Sequence, residues 1–195
     1  MEESLRVLLR ELEDFGTAND SVHRDRPKRM LNITPDTGEF LLTLVLATSA
    51  RQVLEIGTSN GYSTIWLASA VARTHGRVTT VDKSDYKISL AQDNFRRSGL
   101  ESVITLVKED AQRVLGQQPE GSCDLIFLDS ERSEYLRWWP PLKRALRAGG
   151  SLVVDNATSH LDELASFMAL VKSDPNFVTS LLPVGNGEFF AVRTE

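Results

Sequence analysis

Val53-Leu-Glu-Ile-Gly-Thr-Ser-Asn-Gly-Tyr-Ser63 begins as a short aliphatic run and turns through two glycines into the start of a helix. Strand, glycine loop and helix in that order form the first half of a βαβ unit. In an open α/β sheet, ligands bind outside the carboxyl ends of the strands, at the switch point of the winding. The loop from Gly57 to Gly61 is therefore the first place to seek a ligand. Its glycines are spaced G-x-x-x-G, not in the G-x-G-x-x-G pattern that lets a backbone press against a pyrophosphate. Such a loop suits a nucleoside whose tail is an amino acid better than a dinucleotide.

Working outward, short β-rich runs recur at Gln52–Ile56, Arg77–Val81, Val103–Val107, Asp124–Leu128 and Ser151–Val154. Each pair is separated by enough chain for a helix, so the rhythm predicts βαβ units and a parallel sheet covered on both faces. Leu161, Leu164, Ala165, Met168 and Val171 mark one face of the last helix. The chain closes with strand-like runs Phe177–Leu182 and Glu188–Arg193, joined by Pro183-Val-Gly-Asn-Gly187. A turn this short joins antiparallel strands, because a parallel pair needs a crossover. Upstream, Thr34-Pro35-Asp36 supplies an N-cap, a first-turn proline and an early acid for a helix reaching Thr48. Leu5, Leu8, Leu9 and Leu12 predict an amphipathic helix over residues 2–15, an N-terminal extension within residues 1–30 lying outside the main fold. No internal repeat divides the chain, and one domain over residues 1–195 is expected.

The 195 residues carry 22 basic and 27 acidic side chains, a formal charge of −5 that argues against a surface built to track nucleic acid. The longest nearly apolar stretch, Phe40 to Ala50, is too short to span a bilayer. Met1-Glu2-Glu3 is acidic where a secretory signal would be basic, so a cytoplasmic protein is expected. The single cysteine, Cys123, cannot form an internal disulfide and reads as a small buried hydrophobe rather than a nucleophile.

S-adenosylmethionine fits the nucleoside that the glycine loop calls for. Asp82, 25 residues after Gly57, ends the second strand, where a carboxylate can accept from both ribose hydroxyls. Its alternative role is a cap for the helix beginning near Ser84. Glu55 is placed to orient the loop or the methionine amino group. Asp110 with Ala111 either meets the adenine edge or caps the short helix running to Leu115. Farther along, Asp129 directly follows Leu125–Leu128, and Asp155-Asn156 directly follow Ser151–Val154. On neighbouring strands these three side chains converge, and two carboxylates so close repel unless a cation lies between them. Oxygen ligands without Cys or His select Mg²⁺, Mn²⁺ or Ca²⁺. Helix capping and an Asp-Asn turn are the alternative uses of the same residues.

Taken together, Leu31–Gly38, Val53–Ser63, Val78–Asp82, Phe127–Asp129 with Tyr135, Gly149–Asn156 and Leu182–Gly187 resemble the metal-dependent class I O-methyltransferases. That group includes catechol and caffeoyl-CoA O-methyltransferases and bacterial small-molecule relatives. The resemblance implies a Rossmann-like, doubly wound, seven-stranded sheet, mostly parallel, with a C-terminal antiparallel hairpin and helices on both faces. It also implies a homodimer and cofactor contacts at Ile33, Glu55, Gly57, Thr58, Ser63, Asp82, Lys83, Asp110, Ala111 and Asp129. It implies a divalent metal, Mg²⁺ or alternatively Mn²⁺ or Ca²⁺, on Asp129, Asp155 and Asn156. The implied reaction is in-line transfer of a sulfonium methyl to an oxygen of a small catechol-like or vicinal-diol substrate, with Asp129 and Arg132 catalytic.

Two departures stand out. The family's lysine, three residues after the first metal aspartate, falls on Arg132, which cannot be deprotonated. Arg132 either stabilises a phenolate or is a solvated charge at a helix start. The segment Ala157-Thr-Ser-His160 is short and lacks the tryptophan of plant relatives, so the acceptor wall differs. Trp138-Trp139 could line an apolar wall but is more simply helix packing, Trp66 is expected in the core, and His160 either reaches the site or, more simply, lies in an exposed loop. Arg24-Asp-Arg-Pro-Lys-Arg29 could attract an anion, a solvated loop being the simpler reading. Rival functions are methylation of a hydroxylated uridine in tRNA, which that basic run favours, and cofactor binding without catalysis, which Arg132 favours.

Overall fold

The computed structural model describes every residue from Met1 to Glu195. Helices α1 (Glu3–Val22) and α2 (Pro35–Thr48) precede an alternation of β1 (Gln52–Ile56), α3 (Tyr62–Thr74), β2 (Arg77–Asp82), α4 (Asp85–Ser98) and β3 (Ile104–Lys108). There follow α5 (Ala111–Gln117), β4 (Cys123–Leu128), α6 (Tyr135–Ala145), β5 (Leu146–Val154), α7 (Leu161–Lys172), β6 (Phe177–Leu182) and β7 (Glu188–Arg193). The seven strands form one sheet in the order β3-β2-β1-β4-β5-β7-β6. β1 to β5 run parallel, and β7 lies antiparallel between β5 and β6. The strand rhythm predicted the parallel part of this sheet and the short turn its closing hairpin, and the doubly wound, seven-stranded form is the one the family resemblance implied.

Side-chain alternation divides the central strands between two cores. Val53, Leu125, Phe127 and Val153 face the layer of α1 to α4, whereas Leu54, Ile56, Ile126, Leu128, Leu152 and Val154 face α5 to α7. Burial on both faces is why these strands read as continuous apolar runs and not as alternating ones. Local chemistry fixes the ends of the helices: the Thr34 hydroxyl accepts from the Thr37 N–H at 3.2 Å to open α2, and Ser84 caps α4 in the same way.

Two expectations are corrected. The N-terminal helix is longer than residues 2–15 and does not stand outside the fold: Leu8, Leu9 and Leu12 are buried in the core that α2, α3 and α4 share. Its leucine stripe is the missing cover for a sheet face, so removing it from water binds it to the domain. β5 begins at Leu146, five residues before Ser151, because Leu146 pairs with Cys123 ahead of a register irregularity between Cys123 and Leu125. The glycines at 149 and 150 hid that early start.

Candidate active site

The carboxyl ends of β1 and β4 are neighbours at the switch point, and a cleft of about 920 Å³ opens there. Gly57 leaves β1 at φ 112°, and a Cβ on it would lie 2.0 Å from the Asp129 carbonyl oxygen. Only glycine permits the loop to run this close to the end of β4. Asp82 braces that loop from the other side, one carboxylate oxygen accepting from the Ser59 N–H at 3.0 Å and the other from the Ser84 N–H at 2.9 Å. The cap of α4 is Ser84, so Asp82 is not spent on the helix. Asp82, Lys83, Asp110 and Ala111 line one end of the cleft. Asp110 also caps α5, accepting from the Gln112 N–H at 2.9 Å, so the two roles read from sequence coexist.

Glu55, Thr58, Ser63 and Ile33 are placed differently from the cleft-lining residues. Glu55 is wholly buried and accepts from the hydroxyls of Ser63 and Thr80, each at 2.6 Å, and from Thr64. Burial nonetheless pushes its carboxyl up to about 7. Thr58 is likewise buried, its hydroxyl 2.6 Å from that of Thr80. This network fixes the base of the glycine loop from beneath, without lining the cleft. Ile33 is packed in the core, and the adjacent Met30, Leu31 and Asn32 form the cleft wall instead. Their strap is tied down by Asp20, which accepts from the N–H groups of Met30 and Leu31 at 2.6 and 2.8 Å.

At the other end stand Asp129, Asp155 and Asn156. Leu128 and Val154 are register partners, so the aspartates that follow them leave adjacent strands side by side. Burial, and next the facing charge of Asp155, raise the Asp129 carboxyl well above the usual range; burial likewise raises Asp155, which is 4% exposed. One Asp155 oxygen is buried without a donor, and the other accepts from the Asn156 amide at 2.6 Å. Asn156 holds a left-handed φ of 65°, which an Asn side chain tolerates. No three His, Cys, Asp or Glu side chains converge closely enough to hold an ion by themselves. A hard cation fits the donor set as two carboxylates and an amide oxygen, and it would relieve both the repulsion and the orphaned oxygen.

Arg132 is not a solvated charge. Its side chain is 10% exposed, its Nε donates to Glu163 of α7 at 2.8 Å, and its charge draws down both Asp129 and Asp155. His160 is partly buried at the start of α7, lines the cleft and pairs with the Ser159 hydroxyl at 2.9 Å, rather than lying in an exposed loop. Trp138 and Trp139 are both buried in the core beneath α6, with Trp138 also reaching the cleft. Trp66 lies in the other core, and Cys123 is buried, its thiol pushed up to about 11, which suits a packing role. The run from Arg24 to Lys28 is exposed, as a solvated loop would be, and its Arg26, 3.9 Å from Glu131, and Arg29 also line the cleft.

One residue had gone unread: Glu188, at the start of β7, is 0% exposed and adjoins Asp155. Burial first, and then the Asp155 charge, push its carboxyl up to about 10. An acid opening an otherwise apolar strand, Phe189-Phe-Ala-Val192, was the signal that could have disclosed it.

A glycine loop braced by a strand-terminal aspartate, with a recessed acid pair beyond it, thus lies at the switch point of a Rossmann-like sheet. The chain belongs to the O-methyltransferase family, whose profile matches residues 5–194. It is 34% identical over 129 residues to a catechol O-methyltransferase of Niastella koreensis, covering 65% of this chain and 58% of that one. To a catechol O-methyltransferase of Mycobacterium tuberculosis it is 36% identical over 127 residues, covering 64% and 56% respectively. The chain thus matches somewhat over half the length of these two relatives. The crystal structure of an O-methyltransferase from Bacillus cereus in complex with SAH superposes with a TM-score of 0.79 at 25% identity, covering 100% of this chain and 92% of that one.

Proposed function

We propose that this protein transfers the methyl group of S-adenosylmethionine to a hydroxyl oxygen of a small catechol-like or vicinal-diol substrate, assisted by a divalent cation, with Mg²⁺ ahead of Mn²⁺ or Ca²⁺. The observation that carries the reading is the acid pair Asp129–Asp155, side by side at the end of the cleft beyond the glycine loop, with a buried oxygen lacking a donor. Bound there, S-adenosylmethionine supplies an electrophilic methyl and the cation lowers the pKa of the acceptor hydroxyl.

This chain's own groups do the rest. Asp82 and Asp110 offer carboxylates at the cofactor end, while Lys83 and Ala111 complete that wall. Asp129, shared between the two ends, and Asp155 would hold the cation with their charges, and Asn156 with its amide oxygen. Methyl transfer would form the O–C bond as the C–S bond breaks, the electron pair staying on sulfur. Arg132, fixed by Glu163, keeps a positive charge beside the developing phenolate but takes no proton, so the hydroxyl proton leaves to water. Holding donor and acceptor in line is where most of the rate gain originates.

The test is incubation with S-adenosylmethionine and a catechol, with Mg²⁺ and after chelation, following methylated product by chromatography. Product that requires Mg²⁺ is expected; none under any metal would leave the catalytically inactive, cofactor-binding reading standing. Arg26 and Arg29 on the cleft wall support a second reading, methylation of a hydroxyuridine in tRNA, for which methyl incorporation into bulk tRNA in place of catechol is the discriminating result. A homodimer is part of the proposal from family resemblance, and sedimentation equilibrium checks it.

A further inference from the structure

Glu188 takes no part in the reaction just described, yet it is among the most deeply buried charged side chains of the chain. One of its oxygens accepts from the Thr37 hydroxyl at 2.8 Å, across 151 residues of sequence. The other has no donor from the protein, and neither has one oxygen of Asp155, which the antiparallel pairing of Val154 with Phe189 sets beside Glu188. Each of the two neighbouring carboxyl groups, removed from water, thus keeps one oxygen that no protein donor reaches. The Asn156 amide donates to the second Asp155 oxygen, so Asp155 lies between an amide and a neighbouring acid.

We propose that Glu188 is a positioning residue for Asp155: anchored by Thr37 on α2, it fixes the Asp155 carboxyl facing Asp129 and so sets the affinity of that end of the cleft for a divalent cation. The inference rests on the metal reading above. Because no three acidic side chains converge closely enough to share an ion, Glu188 acts through Asp155 and not as a ligand itself. Partners that orient ligating carboxylates in this way typically change metal affinity about 10- to 100-fold when removed. The contact also makes α2 and the β6–β7 turn part of the cation site, although neither supplies a ligand.

The experiment is Mn²⁺ binding by calorimetry to the full chain and to E188L, E188Q and T37V, with S-adenosylmethionine affinity and thermal unfolding measured on the same samples. E188L is expected to lose about 10-fold or more in Mn²⁺ affinity while keeping its cofactor affinity. E188Q, which keeps the shape of the side chain and its contact with Thr37, is expected to stay within about threefold of the parent, and T37V to fall between the two. Parent-like Mn²⁺ binding by both E188L and T37V would overturn the proposal. E188Q as weak as E188L would overturn it too, by making Glu188 an anionic ligand. Should E188L fail to unfold cooperatively, E188Q and T37V decide alone, with T37V required to weaken binding and E188Q not. Absence of Mn²⁺ binding in the parent, with cofactor binding intact, sinks the metal reading itself; Mn²⁺ binding that is indifferent to Glu188 sinks only this inference.

Discussion

Asp155 lies almost out of water beside two other acids, so its charge is tolerable only if something positive or a proton is near. Replacing it by Ala should lower Mg²⁺-supported methyl transfer by more than about 100-fold while S-adenosylmethionine affinity, set at the other end of the cleft, moves less than about threefold. Calorimetry together with an endpoint methylation assay reads both, and joint loss would count against the division of the cleft. Glu55 gives a pH signature of a different kind. Its folded carboxyl is raised to about 7 by burial, whereas the unfolded one titrates near 4.5. The folded state therefore binds the proton more tightly, and stability falls as pH rises from about 4.5 to about 7, by on the order of 3 kcal/mol from this group. E55Q should flatten that share of the slope in urea unfolding followed across the same window; an unchanged slope would show that Glu55 titrates normally. The three hydroxyls around it were not legible as its partners from the sequence, because Thr80 comes from the neighbouring strand and only the parallel register brings it there.

At the scale of elements, the β1–α3 loop shows how far a motif carries. The glycine positions were readable, since a strand and a helix this close in sequence require a left-handed turn. Why Gly57 in particular tolerates no side chain depends on Asp129, 72 residues away in sequence, whose carbonyl a Cβ would meet at 2.0 Å. Gly57→Ala should weaken S-adenosylmethionine binding by more than about 10-fold and destabilise the fold by about 2–4 kcal/mol, read by calorimetry and urea unfolding. Full cofactor affinity in that variant would mean that the loop yields without affecting the site. The pair Asp129–Asp155 was legible for the opposite reason: each acid directly follows an apolar strand, and consecutive strands of a parallel sheet usually lie side by side.

For the whole molecule, the amphipathic stripe of α1 disclosed a helix without disclosing its address. A stripe of leucines says that one face is dry and is silent about which surface dries it. Here the surface is the layer of α2, α3 and α4 over the sheet. Deleting residues 1–30 should thus cost the protein its cooperative thermal transition, not merely trim it. Differential scanning calorimetry decides, and a truncated chain that still melts in one sharp step would restore the picture of a detachable extension.

Sequence alone determined the strand order of events along the chain, the glycine loop, the acids at the strand ends and the antiparallel close, because each is a local pattern of branching, periodicity or turn chemistry. The tertiary structure decided which of those residues face the cleft and which merely support it. It turned Glu55, Thr58 and Ser63 inward, recessed Arg132 against Glu163, brought Arg26 and Arg29 to the wall, and set Glu188 against Asp155. Those outcomes depend on pairing between strands and on packing between segments apart in sequence, where burial and neighbouring charge, rather than residue type, fix what a carboxyl group can do.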